Sequence, residues 1–182
     1  RTAIEQLLLS QALERSLKEL TVPLGGGESV VVDATGFQTD RVHMHKIDEN
    51  LGVIDTLSWD LSFVRDVVAS RLGELGYRVR KHDEEAAYLV RIVVQALGTN
   101  QGQTFFGMPP VQSVILPFAL PELSLYKRQD QMAYVRLYLD IFETASGRFI
   151  RSTPWYIGRS FYNQYTLLFF FTFSRTDLIE PP

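Results

Sequence analysis

The chain has 182 residues, 46% of them apolar and 21% charged, which is the composition of a globular protein with room for its own core. Its 18 basic and 21 acidic residues leave a formal charge of −3, without the basic stripe that nucleic-acid binding needs. With no cysteine, disulfides, thiolate metal sites and thiol nucleophiles are all excluded.

Residues 2–20, "TAIEQLLLSQALERSLKEL", predict a helix with Ile4, Leu8, Leu9, Ala12, Leu13, Leu17 and Leu20 on one stripe. Thr2 and Glu5 have the spacing of a capping box. Pro23 and the Gly25–Gly27 run end this helix. A phosphate-binding glycine loop follows a strand and opens a helix; this one does the reverse, so it reads as a connector. Ser29 to Phe37 is a β-branched run that predicts a short buried strand. Residues 38–57 lack periodicity. They include His43 and His45, which on a strand would share one face and could offer two metal ligands, but no third ligand is suggested and a solvated loop is the plainer reading.

Asp60 to Leu75 returns to helical spacing, with Gly76 suited to the C′ position and a strand at Tyr77–Arg80. In "YLVRIVVQALGT", Tyr88, Val90, Ile92, Val94 and Ala96 define a core-facing side. Met132–Glu143 repeats that alternation with Val135, Leu137, Leu139 and Ile141. "TASGR" predicts a hairpin turn with Gly147 left-handed. Its partner strand is expected from Phe149 to about Ser160. The run Tyr165–Phe173, "YTLLFFFTF", is apolar at every other position and between, so it is expected to be a last strand buried on both faces. The other reading of that run is a membrane-interface aromatic belt.

This order predicts a single α+β domain over residues 1–182. The expected architecture is a two-layer sandwich, with helices packed on one face of a mixed, mainly antiparallel sheet. No Ser-His-Asp arrangement is suggested around Ser58 or Ser160. Asp33, Asp55 and Asp140 are scattered, so no enzyme activity and no cofactor or metal is expected. Residues 100–130 are expected to be a long loop, with Pro109, Pro110, Pro117 and Pro121 keeping it extended and Glu122 its sole acid between Gly107 and Tyr126. Phe105, Phe106, Met108, Val114, Ile115, Leu116, Phe118 and Leu120 make it too apolar for disorder. It either covers its own sheet edge or forms an association surface.

"RTAIEQLLLS", "EEAAYLVRIVVQALGT", "FGMP", "ELSLYKRQDQ", "TASGR" and "FFFTFSRTD" together resemble a family of bacterial envelope lipoproteins across nearly the whole chain. The order of helix, "GYRV" strand and "AAYLV" strand is more distantly similar to periplasmic α/β domains of secretion accessories. These are the curli secretion-channel lipoprotein, the Pel polysaccharide lipoprotein and the amino-terminal domain of the Tol-system propeller protein. The resemblance implies a periplasmic, outer-membrane-anchored protein that self-associates or docks to an export or surface-assembly complex, its partners being itself or other envelope proteins. A lipid-carrying cysteine would have to precede Arg1. The curli channel's membrane hairpins have no counterpart visible here, because residues 100–130 lack the alternation of a barrel strand. A tethered small-molecule or glycan-binding module, using Trp59, Trp155 and Tyr156 as stacking platforms, is the alternative.

Overall fold

A computed structural model describes residues 2–35, 53–108 and 123–179. The capping box forms: the Thr2 amide donates to Glu5 Oε2 at 2.8 Å and the Glu5 amide to Thr2 Oγ1 at 3.3 Å. It opens helix α1, Ala3–Leu17, and the stripe Leu8, Leu9, Ala12, Leu13 and Leu17 is buried as its spacing requires. Strand β1 is Ser29–Thr35, and helix α2 is Val53–Glu74, longer at its start than the periodicity indicates. Gly76, at φ 93°, ends α2 in the left-handed conformation open to glycine without a Cβ clash.

Five strands follow the short β2, Arg78–Arg80: β3 is Tyr88–Met108, β4 is Leu123–Glu143, β5 is Phe149–Ser152, β6 is Tyr156–Leu167 and β7 is Phe171–Thr176. They form an open seven-stranded sheet in the order β2-β1-β3-β4-β6-β7, with β5 paired to β4. The sheet is mixed. β1 lies parallel to β2 and β3, with Val30 opposite Val79 and Tyr88, whereas β4–β5 and β6–β7 are antiparallel. Two α-helices beside a mixed seven-stranded sheet among the described residues are compatible with the expected α+β class, with the sheet dominating.

The chain gathers into two compact units, one of residues 1–11, 98–133 and 159–182, the other of residues 12–97 and 134–158. The second holds most of the buried apolar side chains. Val90, Ile92 and Val94 of β3 and Val135, Leu137, Leu139 and Ile141 of β4 are inaccessible, and α2 buries Val64, Val68 and Leu72. The alternate positions, among them Arg91, Arg136 and Asp140, stay half-exposed, the period-2 division of a sheet with one core face. Helix α1 meets β6 at Gly158: a Cβ there would lie 1.7 Å from the Ala12 carbonyl oxygen, so only glycine admits the contact. Arg71 fastens α2 to the end of α1 through the Leu17 and Lys18 carbonyls, at 3.3 and 3.1 Å.

Three expectations are corrected. Residues 100–130 are not one long loop: 101–108 complete β3 and 123–130 begin β4, extending both strands to 21 residues. Glycines and glutamines there conceal strands held by backbone pairing rather than by an apolar face. The strand expected from Phe149 to Ser160 is broken. Thr153 pairs with Leu139 through both its amide and its hydroxyl, and Pro154, which has no N–H to donate, separates β5 from β6. Finally, Tyr165–Phe173 is not a strand buried on both faces but a hairpin, β6 turning into β7, with its apolar side chains outward.

Candidate functional site

Most of the large apolar residues that folding leaves exposed belong to the first unit, where β3, β4 and the β6–β7 hairpin end together, although Phe63, Leu75, Val79, Phe149, Trp155 and Ile157 are exposed in the second. Three contacts join those strand ends. Gly107 of β3 passes so close to β4 that a Cβ would stand 2.3 Å from the Leu123 carbonyl oxygen. The hairpin turn then closes on the same stretch of β4: the Leu168 amide donates to Leu125 O at 3.0 Å and the Phe169 amide to Ser124 O at 2.9 Å. Backbone groups are thus satisfied while side chains point away. Phe106 and Phe170 are 68% and 71% exposed, and Met108, Leu123, Leu125 and Phe171 are exposed with them.

The turn is unusual for its residues. Leu168 (φ 47°) and Phe169 (φ 72°) are both left-handed, a conformation that costs a residue with a bulky Cβ about 1–2 kcal/mol and that hairpins normally give to Asn or Gly. The two hydrogen bonds to β4 hold them there. Behind the turn, register pairs Leu167 with Phe171, Thr166 with Thr172 and Tyr165 with Phe173. The Tyr165 and Phe173 rings stack at 5.0 Å and 12°, and Phe170 lies 4.5 Å from Phe171. The Arg128 guanidinium sits 5.6 Å from the Tyr165 ring and is held by Asp130 at 2.7 Å, a hydrogen bond that raises its pKa further.

Of the contact residues expected from sequence, Phe106 and Met108 are exposed on this surface and Phe105 is half-buried beside them. Val114, Ile115, Leu116, Phe118 and Leu120 lie outside the described residues, as do His43 and His45. The turn within Tyr165–Phe173 is hidden in the sequence because it carries no Gly, Asn or Asp, although an exposed aromatic belt is the second reading of that run. One signal was present: "YTLLFFFTF" mirrors itself about Phe169, with a threonine three residues to either side.

The other candidates divide. Tyr156 is buried, its hydroxyl donating to Thr21 O at 3.0 Å and accepting from the Thr21 amide, so it braces the chain after α1 and offers no stacking face. Trp155 is partly exposed beside an open cleft near Arg15, Lys18 and Ile157, but Arg136 covers its ring at 4.4 Å and Tyr138 meets it edge-on at 4.6 Å. Ser160 is buried and donates to the Leu8 carbonyl, which makes it a tether within the first unit. Asp33 is exposed and Asp140 accepts from Ser152. Among the described residues there is no group of three or more His, Cys, Asp or Glu that could hold a metal, and no helix is long and apolar enough to cross a membrane.

No family model matches the chain, and no curated protein matches it. Solved structures similar to it include a neuraminyllactose-binding hemagglutinin homolog from Helicobacter pylori, at 16% identity and TM-score 0.31, over 73% of this chain and 67% of that one. Another is the lipoprotein GNA1162 from Neisseria meningitidis, at 12% identity and TM-score 0.31, over 75% of this chain and 82% of that one. The resemblance to the curli and Pel lipoproteins gains no support from these comparisons.

Proposed function

We propose that this chain is a non-enzymatic bacterial envelope protein that self-associates or docks through the apolar end of its first unit, as an accessory of an export or surface-assembly complex. The observation that carries the reading is the grouping of exposed Phe106, Met108, Leu123, Leu125 and Leu167–Phe171 on backbone segments hydrogen-bonded or packed to one another. Exposed apolar patches of this kind mark interaction surfaces. Two-layer packing, with both helices on the buried face of the sheet, belongs to the same proposal: it leaves the helix-covered part as a scaffold and the strand ends as the working part. An outer-membrane-anchored, periplasmic location is proposed with it, on the family resemblance.

Light scattering over a concentration series without detergent tests association. The parent chain is expected to exceed the monomer mass, and Phe106→Ser to return toward it. A clean monomer at high concentration would overturn self-association and favour the tethered binding module, for which the cleft beside Trp155 is the place to look.

A further inference from the structure

We propose that the β6–β7 hairpin is a membrane-insertion tip, entering the interfacial layer of a lipid bilayer that carries anionic headgroups. The inference rests on the reading just given, that the apolar end of the first unit is the contact surface, and names what that surface enters.

Three independent features point to lipid rather than to another protein surface. The first is chemical layering along the hairpin. Leu167, Leu168, Phe169, Phe170 and Phe171 form an uninterrupted apolar tip; the stacked Tyr165 and Phe173 come next; Arg128 lies against Tyr165, and Arg175 lies two residues beyond Phe173, opposite Asn163. Residues 103–108, 123–130 and 164–175 contain the basic residues Lys127, Arg128 and Arg175 and one acid, Asp130, which pairs with Arg128, so this end stays net basic within a chain whose formal charge is −3. Hydrocarbon, aromatic belt and cation is the order of side chains expected across a bilayer interface.

The second is length. From the turn to the Tyr165–Phe173 pair is three residues, roughly 10 Å at about 3.4 Å per residue. That matches the ~5–10 Å to which interfacial segments enter and is far below the ~30 Å of a hydrocarbon core. Penetration to this depth keeps β7, the edge strand among the described residues, near water, where its backbone groups can be hydrated.

The third is the turn itself. Leu168 and Phe169 occupy left-handed positions that Asn and Gly fill with less strain, and their side chains are exposed, so neither turn geometry nor core packing calls for apolar residues there. A docked protein would cover one side of the hairpin. The turn's backbone lies against β4, yet Leu167, Leu168, Phe169, Phe170, Phe171 and Phe173 in succession keep at least 36% of their surface exposed, which suits a fluid surround.

The test is flotation of the full chain with phosphatidylcholine vesicles, with and without phosphatidylglycerol. The variants are Leu168→Asn with Phe169→Gly, and Phe170→Trp as a fluorescent reporter. The double variant places in the turn the residues it geometrically favours, so it folds at least as well as the parent. The parent is expected to float with phosphatidylglycerol vesicles, less so as salt rises, and the double variant to lose about tenfold or more of its partitioning. Phe170→Trp is expected to shift its emission to the blue on vesicle addition. If the parent stays with the bottom fraction yet forms oligomers that the double variant lacks, lipid insertion is overturned while the contact-surface reading stands. If it neither floats nor associates, both are overturned. Equal flotation of parent and double variant would overturn the assignment to this hairpin.

Discussion

Two stretches rich in apolar residues have opposite fates. In β4, Val135, Leu137, Leu139 and Ile141 are wholly inaccessible; in the β6–β7 hairpin, Leu167 to Phe171 and Phe173 are each at least 36% exposed. The difference lies in what stands between the apolar residues. In β4, Tyr134, Arg136, Tyr138 and Asp140 alternate with them, so the strand has one face that must be buried and one that must not. In the hairpin nothing alternates. Such a run fits a doubly covered strand, but among the described residues no second layer covers it, and the chain folds back on itself at the middle of the run instead. Hydrophobicity by itself therefore does not identify core; its pattern against polar neighbours does.

The comparison can be broken most severely at the scaffold. Gly158→Ala would drive a Cβ into the Ala12 carbonyl at 1.7 Å, backbone against backbone, and is expected to lower the unfolding free energy by about 3 kcal/mol or more in urea titration. Leu137→Ala, deleting part of a wholly buried side chain, is expected to cost about 2–5 kcal/mol in the same titration. Phe170→Ser sharpens the contrast. Although it removes a larger side chain, it is expected to change stability by no more than about 0.5 kcal/mol, because that side chain is already 71% exposed.

The smallest effect is pH-dependent. Glu5 has its pKa lowered chiefly by the hydrogen bond from the Thr2 amide, with Gln101 helping. A depressed carboxylate stabilises the fold above its unfolded pKa, and that contribution disappears as pH falls through the lower folded value. Acidification from the ordinary carboxylate range downward should therefore lower the protection of the Thr2 amide against exchange, measured relative to its intrinsic rate at each pH, and loosen the first turn of α1. In Glu5→Ala that protection should be absent at every pH.

Much of the scaffold is legible from residue order because its signals are local. The Thr2–Glu5 box, the stripe of α1, Gly76 and Gly147 at positive φ, and the alternation of β3 and β4 each depend on a few neighbouring residues. The contact surface is less legible for a physical reason. Residues 101–108 and 123–130 are strands because their neighbours pair with them, and glycines and glutamines carry no pattern that shows it. Phe106 and Met108 stand out in the sequence as apolar residues of a proline-rich stretch with no helical or alternating pattern to place them on a face. The hairpin escaped because Leu168 and Phe169 stand where turn chemistry would place Asn and Gly. A rule of local consistency fails at that point, which is where a functional demand is most easily recognised.

The most direct measurement is the urea midpoint of the Leu168→Asn, Phe169→Gly chain against that of the parent. If the hairpin's apolar residues serve contact and not folding, relief of two left-handed bulky residues raises the midpoint, by the equivalent of about 1 kcal/mol or more. A midpoint lowered by a comparable or larger amount would show that Leu168 and Phe169 are core, and would contradict the exposed contact surface on which the function rests.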